Sequence, residues 1–203
     1  MEPLKFVNFK NLERAALYRL FAELFIKSPK GETLQQVKEL LHIASDETPD
    51  EIRMDFVYIF SDVHPHLHPY ESFYHSLFNY TLRVPGVSSD IAGNVQSFYQ
   101  AAGLMLHEAA TLSADHISAE LLFMSYLVEN NLVEHQRDFF KVHLSKWIPG
   151  YCEEVSKHAS TMFYKEIART LKEFILAEGE HFGIQGLPDG TGAGSTGDFG
   201  GGV

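Results

Sequence analysis

One cysteine, Cys152, stands in 203 residues. A single thiol excludes an internal disulfide framework and points to a reducing compartment. Positive charge is scarce as well. The chain has 16 Lys and Arg against 27 Asp and Glu, a formal net charge of −11. That balance disfavours nucleic acid and anionic membranes, and it favours basic partners through electrostatic steering. No apolar run approaches the ~18 residues that a membrane span needs. The opening "MEPLKFVNFKNLERAALYRLF" mixes charged residues into its apolar pattern and lacks the apolar core of a signal peptide. Long strand-like alternation, βαβ alternation and internal repeats are all missing. So are a serine elbow, a P-loop and a signature of paired catalytic carboxylates. These absences lead to the expectation of a soluble cytoplasmic protein.

What is present is helical periodicity. Residues are 45% hydrophobic, and the length suits one domain with a full core. Leu12, Ala16, Leu20 and Leu24 space out a helix over 8–26, and Ser28-Pro29-Lys30-Gly31 stops it. Thr33 with Gln36 reads as a capping box for a short helix to about Ala44. Pro49 opens a helix carrying Ile52, Phe56, Ile59 and Phe60. Short helices are expected over 70–77 and 88–102, with Gly103 ending or kinking the second. In "LSAD", Asp115 is the expected N-cap of a strong helix over 116–130. Another spans 132–147, Pro149-Gly150 breaks the chain, and 151–158 follows. The last runs over 161–177. The expected class is all-α, one globular helical bundle over 1–177. Residues 178–203, rich in Gly, Ser and Thr, read as a flexible tail.

Several motifs suggest chemistry and lose it on inspection. Gly192 to Gly197 matches G-x-G-x-x-G, but no strand precedes it and no helix follows. His107-Glu108 begins like the zinc-protease H-E-x-x-H, and Thr111 stands where the second ligand belongs. Cys152 has Glu153 and Glu154 beside it, which would raise its pKa and suppress the thiolate. His64, His66 and His68 are a more serious case. Alternating residues of an extended segment project to one side, where neutral imidazoles can share a metal. A dedicated site also needs further ligands and a second shell, which a proline-broken loop does not supply by itself. Asp115 reads as a cap that can also pair with His116. Glu120 reads as lying on the polar, solvent-facing flank of its helix.

"DFVYIF" (55–60), "HPYESFY" (68–74), "FYQAAGLML" (98–106), "ADHISAELLFMSYL" (114–127) and the stretch 139–174 occur in this order. Together they resemble the redox-enzyme maturation chaperones, the TorD/DmsD/NarJ-like family. The resemblance implies an all-helical bundle without catalysis or cofactor. It implies a partner: the N-terminal leader of a molybdopterin oxidoreductase catalytic subunit, often a twin-arginine signal peptide, or the apo subunit itself. It implies a monomer or a domain-swapped homodimer. By position it carries over Pro69, Tyr70, Glu71, Tyr74, Asp115, His116 and Glu120. Leu112-Ser113 stand where the family has Glu-Pro, so no role of that Glu is carried over.

Such a leader sets guanidinium groups beside an apolar stretch. A receptor for it needs carboxylates and an apolar or aromatic groove. Glu71 and Asp115 are the candidates for the first, and Tyr70, Phe73, Tyr74 and Met105 for the second. Two rival readings stand beside this one. One is a metal-binding protein or metal-dependent enzyme using His64, His66 and His68. The other is a general helical interaction module.

Overall fold

Helix α1 (Asn11–Ile26) begins at Lys10, whose backbone amide donates to the Glu13 carboxylate at 2.9 Å. The computed structural model describes residues 10–61, 66–78, 90–105 and 112–184. Tyr18, Phe21, Ala22 and Phe25 of α1 point inward. Of the expected stripe only Leu24 is buried; Leu20 is half-buried and Leu12 and Ala16 are exposed, so the inward face is rotated from the one the leucine spacing predicts. The helix packs along α6 (Ile117–Glu129), and the Ser125 hydroxyl donates to the Ala15 carbonyl at 2.9 Å.

Helix α2 (Gly31–Leu40) starts earlier than the Thr33 cap expected from the sequence. Gly31, at φ 52°, turns the chain into it, so Thr33 falls inside the first turn. It also ends before Ala44, with His42 in the left-handed region at φ 53°. Helix α3 (Pro49–Phe56) follows expectation. The Glu51 amide donates to the Thr48 hydroxyl, the Thr48 amide donates to Glu51, and Pro49 fills the first turn. A wide π turn, Val57–Ser61, continues α3 and turns Ile59 and Phe60 into the core.

Helix α4 (Glu71–Phe78) and helix α5 (Ile91–Ala101) come next. Asp90 caps α5, and Gly103 leaves it at φ 81°. Helix α7 (Val133–Phe139) passes through a second π turn, Phe140–Leu144, into α8 (Ser145–His158). The break expected at Pro149-Gly150 does not occur, because α8 runs through both residues. Proline removes a ladder bond and crowds the preceding turn. Here that happens just after a π turn has already shifted the pairing of donors and acceptors.

Helix α9 (Met162–His181) packs on α8. It extends beyond the close expected at Ala177. Glu178 is buried and accepts two hydrogen bonds from the Arg14 guanidinium, at 2.8 and 2.7 Å. The polypeptide therefore stays with the body through this ion pair, and the expected tail beyond residue 184 lies outside the described residues. The all-α class stands. Among the described residues the only β pairing is one isolated antiparallel bridge, Tyr70 with His116.

Candidate functional site

That bridge builds the site. The Glu71 amide donates to the Asp115 carbonyl at 2.9 Å, and the Ile117 amide donates to the Pro69 carbonyl at 2.9 Å. The starts of α4 and α6 are thereby held side by side, although 46 residues separate Tyr70 from His116 in sequence. Asp115 is not the N-cap of α6. Its Oδ2 accepts from the Ser72 amide of α4 at 3.1 Å, and its Oδ1 accepts from the Ser113 hydroxyl at 2.5 Å. It therefore caps the neighbouring helix, where an anion at the first turn is favourable. The cap of α6 is His116, whose Nδ1 accepts from the Ser118 amide at 3.1 Å. An acceptor Nδ1 puts the proton of the neutral ring on Nε2. Burial then lowers the pKa of His116 to about 4, against the raising effect of the Asp115 charge.

Beneath this edge lies a second polar layer. Glu71 is 2% exposed. Its Oε2 meets His143 Nδ1 at 2.7 Å, and its Oε1 meets His75 Nε2 at 3.3 Å. His143 Nε2 faces Asn94 Oδ1 at 2.9 Å. Both ring nitrogens of the buried His143 thus face side-chain oxygens, one of Glu71 and one of Asn94. Burial pushes the Glu71 carboxyl up, but its hydrogen bonds and charge interactions with His143 and His75 outweigh this and hold it below the ordinary range.

Glu120 is fully buried, at 0% exposure, and not on a solvent-facing flank as expected. Its Oε2 accepts from the Trp147 indole N–H at 3.1 Å. Its Oε1 has no hydrogen bond of ordinary geometry among the described residues. Burial, and then the neighbouring negative charge of Glu71, push the Glu120 carboxyl well above the ordinary carboxylate range. Two adjacent buried carboxyls thus settle into different protonation states, Glu71 ionised and Glu120 favouring its proton.

The ring-bearing residues flank these layers. Tyr70, half-buried, meets the His116 ring edge-on at 5.1 Å. Phe73 packs on His68 at 3.9 Å. Tyr74 lies 6.1 Å from the Trp147 ring. Met105 is 89% exposed, just beyond α5. The tie from α5 to this region is Tyr99, whose hydroxyl donates to the Ala114 carbonyl at 2.7 Å. Seven of the eight expected positions are therefore brought together: Tyr70, Glu71, Phe73, Tyr74, Asp115, His116 and Glu120. The eighth, Met105, is an exposed residue that follows α5.

The histidine loop separates. His66 packs on Tyr58 at 5.2 Å and on His158 at 4.2 Å, while His68 turns to Phe73. The expected projection to one side fails for this pair, because each ring is drawn to a different aromatic neighbour. His64 lies outside the described residues. No group of three metal-binding side chains occurs among the described residues. Cys152 is buried, and burial, more than Glu153, pushes its thiol up. That makes it a core residue in place of a nucleophile.

No role in the site was expected from the sequence for Asn94, His143 or Trp147. His143 sits 72 residues from its partner Glu71, so no local spacing could pair them. The available signal was chemical: one tryptophan and one histidine on an otherwise apolar stripe require polar partners inside.

The family model for the nitrate reductase delta subunit matches residues 27–153. The matched span holds α4, α6, the second π turn and most of α8, and so the whole polar cluster. The chain belongs to this family, the NarJ/TorD-type chaperones of molybdoenzyme maturation. No curated protein matches the chain. Among the described residues no helix is long and apolar enough to cross a membrane.

Proposed function

We propose that the protein is a cytoplasmic maturation chaperone that binds the N-terminal leader of a molybdopterin oxidoreductase catalytic subunit. The leader is a twin-arginine signal peptide or the equivalent segment of the apo subunit. The client segment docks along the start of α4 and the 113–116 turn. Tyr70, Phe73, Tyr74 and Met105 offer ring and apolar surface, which suits the apolar part of a leader. Glu71, Asp115, His116 and Glu120 form the layer beneath. Glu71 and Asp115 have their oxygens engaged by the protein itself. Their contribution is therefore to hold the platform rigid and to lend it negative potential, which attracts a basic segment.

One observation carries this reading: a half-exposed aromatic edge propped on buried carboxylates, in a chain of this family. Calorimetry with the leader peptide of the molybdoenzyme encoded beside this gene tests it. The expected result is micromolar binding that weakens as salt rises, with Phe73→Ala and Tyr70→Ala each costing about tenfold in affinity. Absence of binding to any such leader contradicts it.

A further inference from the structure

Gly150 lies inside α8, one residue after Pro149. Glycine is a poor choice in a helix interior, since alanine there is more favourable. A special backbone conformation does not explain it, because among the described residues the left-handed glycines are Gly31, Gly103 and Gly183. The reason lies across the helix interface. A Cβ at position 150 would stand 1.9 Å from the Tyr74 hydroxyl oxygen and 3.0 Å from its Cζ. No side chain fits there while Tyr74 keeps its place. The Tyr74 phenol leans on this face of α8 beside Trp147, one turn before Gly150. Its pKa is raised by burial and then by the charges of Glu154 and Glu153 on the same helix.

We propose that Gly150 is a positioning residue: the missing side chain forms a socket for the Tyr74 hydroxyl, and the seated ring fixes α4 against α8. The socket sets where the edge of Tyr70, Phe73 and Tyr74 stands relative to the α6 turn. It gives a physical reason for a glycine that otherwise weakens α8. Its importance for client recognition rests on the reading under Proposed function, but the socket itself does not.

Gly150→Ala in the full chain, with 3-fluorotyrosine at position 74, tests both parts. Displacement of the ring lowers Tm, moves the fluorine resonance and brings the phenol titration closer to that of an exposed tyrosine. Leader affinity falls by about tenfold. If Gly150 is only a tolerated weak point, alanine raises Tm and leaves the resonance unmoved, and the proposal is overturned.

The double variant Gly150→Ala, Tyr74→Ala covers the case in which the single variant fails to fold. With the ring gone, alanine at 150 no longer clashes, so the double variant melts at or above Tyr74→Ala alone. A double variant that melts well below Tyr74→Ala overturns the socket. Should the unaltered protein bind no leader, the recognition reading fails, while the melting and fluorine results still decide the socket.

Discussion

Glu120 and His116 stand one turn apart at the start of α6, and burial moves the two side chains in ways that give opposite pH dependences. Glu120 is an acid whose folded pKa is raised, so its folded form binds more protons than the unfolded chain. Stability from this group is complete below the ordinary carboxylate pKa and is lost as pH rises through the folded value. His116 is a base whose pKa falls from 6.5 to about 4. Stability from it is present above 6.5 and is lost as pH falls toward 4. Glu120→Gln keeps an acceptor for Trp147 and cannot ionise. Urea midpoints measured from about pH 5 to about pH 8 should therefore show the variant gaining on the native protein as pH rises. Parallel profiles would mean that Glu120 is not held as a buried neutral acid. The burial of Glu120 was not legible in the sequence. Ile117, Leu121, Met124, Leu127 and Val128 define one apolar face, and a polar residue off that face reads as solvent-facing. In the fold, α6 is covered on almost every side, and no helix's own periodicity reports what packs on its polar flank.

At the scale of elements, starts and stops with local chemistry were legible. Pro49 in the first turn of α3, the start of α9 after Thr161 and Gly103 after α5 all act where the sequence places them, whereas the capping box forms at Thr48 and Glu51 and not at Thr33 and Gln36. Errors arose where a distant residue decides. Pro149-Gly150 carries the signature of a break, yet a π turn precedes it and Tyr74 fills the space that glycine leaves. The composition shift after Ala177 carries the signature of a tail. Glu178 nonetheless bonds Arg14 across 164 residues, with the Tyr18 hydroxyl donating to it at 2.8 Å. Both ends of this ion pair are nearly inaccessible. Removing one partner strands a buried charge, so Glu178→Ala should cost about 3–5 kcal/mol in urea unfolding. A loss below about 1 kcal/mol would mean that the pair is no stronger than a surface contact. Asp55 plays a similar part by accepting the Ser160 and Thr161 amides at 3.0 and 2.8 Å, which anchors the start of α9 on α3.

For the whole molecule, the all-α class and the family were both legible, because periodicity and ordered motif blocks are properties of the chain itself. The cluster was legible only in part. "PYESFY" and "ADHISAE" marked its two edges, while Asn94, His143 and Trp147, which brace it from α5, the second π turn and α8, belong to other parts of the sequence. The cluster is thus the meeting point of five helical segments, with its buried charges beneath one half-exposed edge. Amide exchange of the full chain, with and without the leader peptide, tests this most directly. New protection is expected to concentrate at residues 70–75 and 113–117, where the aromatic edge and the α6 turn meet. Protection confined to the outer faces of α2 or α9, with the peptide demonstrably bound, would contradict it.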